Sequence, residues 1–266
     1  MCKLRVINSL QLQVSLKFRQ SQVILPNMLN SESVKKLSGL VLIATSLFAC
    51  ICVRAAESEM VAQYIPELIS ISAGSFIKGS SDKEREYAYQ LDESAYKHSA
   101  TREGRWYARE SGPQQIETAA FEIGRTPVTN KQYQIFIEAT GYPAPTMDAE
   151  TWASYRLVHP FESTTRFVWG DGIAPSGRED HPVVLVSYED ANAYAEWLSE
   201  RTGDVWRLPR LDEWERAARG DDGWVFPWGN EFDAALLNSH DQGPFDTQPV
   251  GMHPKGASSH LSLIHI

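Results

Sequence analysis

The sequence predicts a loop-rich α+β domain, on three observations. Three segments share one helix grammar, with a cap position, an acid or amide three residues on, and a glycine after the last turn. Short runs of β-branched and aromatic residues at 68–79 and 121–123 predict strands. The connections are rich in Gly, Pro, Trp and Asp, as in RFVWGDGIAPSGREDHPVV and DDGWVFPWGNEFD, so regular structure is modest.

Taken in order, LISISAGSFIKG, from Leu68 to Gly79, reads as a short hairpin or strand pair about a glycine-containing turn. The charged stretch from Ser80 to Gln114 reads as a solvated loop or surface helix, and Phe121 to Ile123 as a further short strand. In PVTNKQYQIFIEATG, Thr129 caps a helix, Gln132 completes a capping box, and Val128 with Tyr133 forms a hydrophobic staple. Tyr133, Phe136, Ile137 and Thr140 then share a face, and Gly141 ends the helix. In VSYEDANAYAEWLSERTG the cap is Ser187 and the box residue Asp190. Ala191, Tyr194, Ala195 and Leu198 make its buried stripe, and Gly203 closes it.

The third helix lies in WRLPRLDEWERAARG, with Leu211, Trp214, Ala217 and Ala218 on one face and Gly220 as terminator. Arg210 occupies the cap position, and a guanidinium cannot accept a backbone N–H, so a cap worth about 1 kcal/mol is lost. Asp212 suits the helix dipole, and Glu213 can still reach back to the cap N–H. Arg207, Glu213, Glu215 and Arg219 read as a charge network around a buried Trp214, which is scaffold rather than catalytic machinery.

Upstream, MLNSESVKKLSGLVLIATSLFACICVRAAESE begins at Met28. Lys35 and Lys36 precede an apolar run from Leu37 to Val53, and the small residues Ala55 and Ala56 follow. That order is a secretory signal over residues 28–56, and residues 1–27 read as a mis-called extension. An uncleaved membrane anchor and a lipid anchor on Cys50 are the alternatives. The chain is therefore expected to be secreted or periplasmic, touching membrane only through such an anchor. The three cysteines, Cys2, Cys50 and Cys52, all precede the expected cleavage site, so the exported chain carries neither thiol catalysis nor a thiolate metal site. A net charge of −9 argues against nucleic-acid partners. No phosphate-binding glycine loop, dinucleotide fingerprint or nucleophile elbow is present in the sequence.

Six blocks occur in order: ISAGSFIKGS, FEIGRTPVTNKQYQIFIEATGY, HPVVLVSYEDANAYAEWLS, WRLPRLDEWERAARG, FPWGNEFD and TQPVG. Together, over roughly Ile69 to Ser258, they resemble the sulfatase-modifying factor, or formylglycine-generating enzyme, family. The resemblance implies a compact, loop-rich α+β fold distantly related to C-type lectins. It makes Arg207, Glu213, Trp214, Glu215 and Arg219 a structural family motif in which threonine usually stands where Arg210 does. It also implies calcium: Asn238, Ser239, Asp241 and Gly243 resemble the family's first calcium site, with Asp246 as substitute if the register slips. From the residues alone this loop is polar, with Asx turns. His240 reads as a loop residue and His181 as orienting a turn. Trp169, Trp224 and Trp228 read either as core aromatics under loops or as a carbohydrate platform.

The best-known members of the family oxidise a sulfatase cysteine to formylglycine using oxygen and a copper-binding cysteine pair, and others are non-oxidising relatives or domains attached to other enzymes. The blocks that carry that pair follow TQPVG in the family and are not found before Ile266. The expectation is thus an incomplete domain over 57–258 with a non-native tail at 259–266. Such a piece binds no copper, is inactive as an oxidase, and folds marginally. The intact protein would act on a sulfatase or another exported protein or peptide. The alternatives are a non-catalytic lectin-like binding module and a component of an exported cell-surface assembly.

Overall fold

The computed structural model describes residues 65–156, 159–239 and 246–260. The expected signal, the 1–27 extension and all three cysteines lie outside the described residues. Among the described residues no helix is long and apolar enough to cross a membrane.

The strands are short. β1 (Leu68–Ile71) pairs antiparallel with β4 (Phe121–Gly124), and β2 (Gly74–Lys78) pairs antiparallel with β3 (Gln114–Thr118). Ile71 stands opposite Phe121 and Gly74 opposite Thr118, so both ladders keep one register. They form a single two-stranded ribbon interrupted at 72–73 and 119–120.

The expected pairing of residues 68–79 with themselves is therefore wrong, although both strands exist. The distant partner presents Ile123 and Phe121 opposite Ile69 and Ile71, and Ile116 opposite Phe76. These apolar cross-strand pairs are not available within a local hairpin. β3 was not anticipated, because QQIET is polar, with Ile116 only half-buried.

The charged stretch between β2 and β3 is helical at the surface. α1 (Asp82–Tyr96) starts on a Ser81–Glu84 capping box and buries none of its residues. The short α2 (Ala100–Glu103) follows. Arg102 ties the two helices through Glu86 and Glu93, each at 2.6 Å, and lies over the Tyr89 ring.

α3 (Asn130–Thr140) and α5 (Tyr188–Thr202) carry the capping boxes read from the sequence, Thr129–Gln132 and Ser187–Asp190. They end on Gly141 and Gly203 at φ 70° and 74°, a backbone region that costs glycine little. Between them lie α4 (Ala149–Ser154) and a 3-10 turn at Phe161–Phe167. Tyr133, Phe136 and Ile137 pack with Tyr194, Ala195, Leu198, Trp197, Trp169 and Trp206 in the main core. Thr140, expected on that face, is exposed; its hydroxyl instead donates to the Phe136 carbonyl within the last turn.

A second, smaller core sits between the ribbon and α6 (Leu211–Arg219). It contains Ile71, Phe121, Ile123, Ala217 and Ala218, with Trp214 partly buried against it. Leu211 does not join this face as expected and is 66% exposed. The packed residues come from the later turns of the helix, where alanines allow close approach to the ribbon.

Candidate functional site

α6 buries charge as well as alanine: Glu213, Arg216 and Arg219 are all buried. Buried charges persist only when paired and hydrogen-bonded, and each of these is. Arg207 meets Glu213 through two bonds of 2.7 and 2.9 Å, and the Arg210 N–H donates to the same carboxylate at 2.7 Å. Burial pushes the Glu213 carboxyl up, but the Arg207 pair and the Arg210 N–H outweigh it and hold the group below the usual carboxylate range. Arg210 itself makes no side-chain cap, so only half of a capping box forms.

Arg219 belongs to a different group. It donates to Glu84 at 2.8 Å, to Glu215 at 3.1 Å, and to the carbonyls of Gly79, Gly223 and Trp224. Glu215 in turn accepts from the Gly79 N–H at 2.7 Å. The single network expected around Trp214 is thus two clusters at opposite ends of α6. Between them Arg216, which the sequence reading did not single out, donates to Ser72 O at 2.9 Å and Thr118 Oγ1 at 2.6 Å. It fills the gap where the ribbon's ladder is interrupted, and its Nε pairs with Asp221 at 2.8 Å. A Cβ on Gly74 would come within 3.0 Å of its Nη2.

The loop expected to bind calcium is partly visible. Asn238 Nδ2 donates to the Asp246 carbonyl at 2.8 Å, and Ser239 is half-buried. Asp241, Gly243 and His240 lie outside the described residues. The Asp246 carboxylate is engaged by Arg178 at 2.8 and 2.6 Å, which holds its carboxyl well below the usual range. No group of three or more potential metal-binding side chains occurs among the described residues. Asn238 and Ser239 carry neutral oxygens, and the Asp246 carboxylate is engaged by Arg178.

His181 orients a turn. Its N–H donates to the Arg178 carbonyl, its carbonyl accepts from Asn130, and Nδ1 lies 2.8 Å from Thr247 Oγ1. Burial, then the neighbouring Arg178 charge, lowers its pKa. Trp169 is a core residue at 5% exposure. The half-buried Trp224 offers its carbonyl to Arg219. Trp228 stacks on Phe226, with centroids 5.4 Å apart, and lines an open cleft of about 400 Å³ with Phe232, Leu236, Asn230, Glu231 and Asp233.

A further group ties the segment just after α3 to the first turn of α5. Tyr142 Oη donates to Asp190 Oδ1 at 2.9 Å, and Asp190 Oδ2 accepts from the Ser187 N–H at 2.7 Å. Asp190 was read only as the box residue of α5. Tyr142, 48 positions away, carries no local signal for the pairing.

Comparison with known proteins places this arrangement. Residues 54–261 match the family described as "Sulfatase-modifying factor enzyme 1-like domain". A hercynine oxygenase of Mycolicibacterium thermoresistibile is 32% identical over 157 residues, covering 54% of this chain and 33% of the relative. A formylglycine-generating enzyme of Mycobacterium tuberculosis is 28% identical over 242 residues, 75% of this chain and 71% of the relative. That of Thermomonospora curvata is 35% identical over 136 residues, 44% of this chain and 43% of the relative. The chain thus spans about a third of the first relative's length and less than half of the third's.

Proposed function

From the premise that this chain belongs to the sulfatase-modifying factor enzyme 1-like family, we propose that it supplies the frame of an exported oxidase that converts a sulfatase cysteine to formylglycine. The observation that carries this reading is the alignment with a formylglycine-generating enzyme along 75% of this chain and 71% of that enzyme. A second relative, named an oxygenase, supports oxidative chemistry as the common theme.

The residues described here act as framework in this proposal. Arg216 and Arg219 lock α6 to the ribbon and to α1, giving the rigid support that positioning chemistry needs. A copper ion held by a thiol pair would supply electron exchange with oxygen. No cysteine occurs among the described residues, so they do not fit such a centre. Calcium belongs to the same proposal as a structural ion of the 238–243 loop, its charge matched by Asp241.

The test uses protein expressed from the whole reading frame, incubated under oxygen with a cysteine peptide from a sulfatase. Aldehyde formation, read by hydrazide labelling and mass, is the expected result. Binding of the peptide without oxidation would replace the proposal with the lectin-like binding module. Oxygen-dependent change of hercynine instead would assign the other relative's activity.

A further inference from the structure

The Tyr133 side chain is 1% exposed, and its hydroxyl has no hydrogen-bond partner. A buried polar atom left without a partner is rare in folded proteins and calls for a reason. Its surroundings offer one. The Tyr133 ring lies 6.0 Å from Trp169 and 5.5 Å from Tyr194, and Tyr194 lies 5.6 Å from Trp197. Phe136 touches both Tyr133 at 5.2 Å and Tyr142 at 5.1 Å. Oxidisable rings thus cluster in the centre of the core, and the Phe136 ring alone separates them from Tyr142, which is half-buried.

Tyr133 and Tyr142 differ in one chemical respect. Loss of an electron from a phenol makes its proton strongly acidic, so the electron vacancy settles where a base stands ready to take the proton. Tyr133 has no acceptor. Tyr142 has the Asp190 carboxylate at 2.9 Å, itself fixed by the Ser187 N–H.

We propose that Tyr142 and Asp190 form the terminus of a tryptophan–tyrosine chain that carries oxidising equivalents out of the core. An oxygen-derived radical, such as a peroxyl radical, takes an electron from Trp169 or Trp197, is itself reduced to the anion, and leaves a tryptophan radical cation. Tyr142 returns that electron by tunnelling across Phe136 while its phenolic proton moves to Asp190, giving a neutral tyrosyl radical and a carboxylic acid. A soluble thiolate then donates one electron to Tyr142, and the proton returns from Asp190 to the phenolic oxygen. Tyr142 and Asp190 regain their original states, and the thiolate is oxidised by one electron. The role suits a protein that works with oxygen, but it does not depend on which substrate is oxidised.

Pulse radiolysis of the full chain with the azide radical, which oxidises tryptophan, tests this without any enzymatic turnover. The expected result is a concentration-independent conversion of tryptophanyl to tyrosyl absorption, with most of the tyrosyl yield lost in Tyr142→Phe. Asp190→Asn slows the conversion about tenfold while leaving the aromatic contacts in place, as loss of a positioned base does. Two controls separate the chain from simpler causes. Tyr188 is 68% exposed, and Tyr107 donates to Asp92 at 2.7 Å and stacks on Tyr89. A tyrosyl yield unchanged in Tyr142→Phe, or lost instead in Tyr188→Phe or Tyr107→Phe, would overturn the proposal. Thermal melts of each variant verify that the fold is retained. An alternative variant, Tyr133→Phe, should preserve the conversion that starts at Trp197, because that ring reaches Tyr142 through Phe136.

Discussion

Arg219 Nη2 stands 2.8 Å from Glu84 Oε1 and joins helices whose paired residues are 135 positions apart in sequence. Both side chains are largely withdrawn from solvent, at 8% and 22% exposure. The same guanidinium also satisfies three carbonyls around Gly79, Gly223 and Trp224. One side chain therefore secures α1, the end of β2 and the turn after α6.

Arg219→Ala leaves two carboxylates and three carbonyls short of donors. It should cost roughly 3–5 kcal/mol, the range for breaking a buried pair from one side. Arg219→Lys should recover little, since an ammonium cannot reproduce the planar fork. Urea unfolding of the two variants checks this, and full recovery in the lysine variant would contradict it.

Arg210 has the extended backbone of a helix cap, φ −70° and ψ 156°, without a cap side chain. Arg210→Thr should add about 1 kcal/mol by satisfying an N–H of the first turn of α6. The surface position makes side effects small, and a melt that does not rise would refute the missing-cap account.

Leu185 sits at φ 61°, a region that bulky residues avoid. Leu185→Asn or Leu185→Gly should stabilise by roughly 0.5–1 kcal/mol through relief of that strain. Leu185→Val should do the reverse. Thermal midpoints in one buffer give the comparison.

Acid should weaken the protein in two stages. His181 has a folded pKa below its ordinary value of 6.5, so the unfolded chain takes up its proton first. Its contribution is complete above 6.5 and is lost as pH falls through the lower folded pKa. Asp246 behaves likewise from its ordinary value of 3.8 downward, where the Arg178 pair is lost. Stability measured against pH should fall in these two windows, and His181→Gln should remove the upper one alone.

Calcium should raise the thermal midpoint if the 238–243 loop holds it, and Asp241→Asn should abolish that rise. Asp246→Asn should lower the midpoint with or without calcium, because Asp246 serves Arg178. An equal calcium response in Asp241→Asn would remove the ion from this loop.

Much of the helical frame was legible locally. Thr129 with Gln132 and Ser187 with Asp190 lie three residues apart, and Gly141 and Gly203 follow their last turns. Caps depend on neighbours in sequence, so reading the sequence finds them. The ribbon was misread because strand partners are chosen by distant side chains: Ile71 pairs with Phe121 across the whole of α1 and α2. In the candidate sites, Arg207 and Glu213 were visible as a pair six positions apart, whereas Arg178 with Asp246 and Tyr142 with Asp190 were not.

By itself the sequence determined the α+β class, the caps and ends of α3 and α5, and the family through six ordered blocks. Those are properties of short segments, set by backbone hydrogen bonding and local periodicity. Only the tertiary structure decided which charges on α6 face inward, that Arg216 bridges the broken ladder, and that Tyr142 finds a carboxylate. Desolvation makes a buried charge or hydroxyl depend on whichever partner the fold brings within about 3 Å, and that partner is fixed by packing rather than by sequence distance.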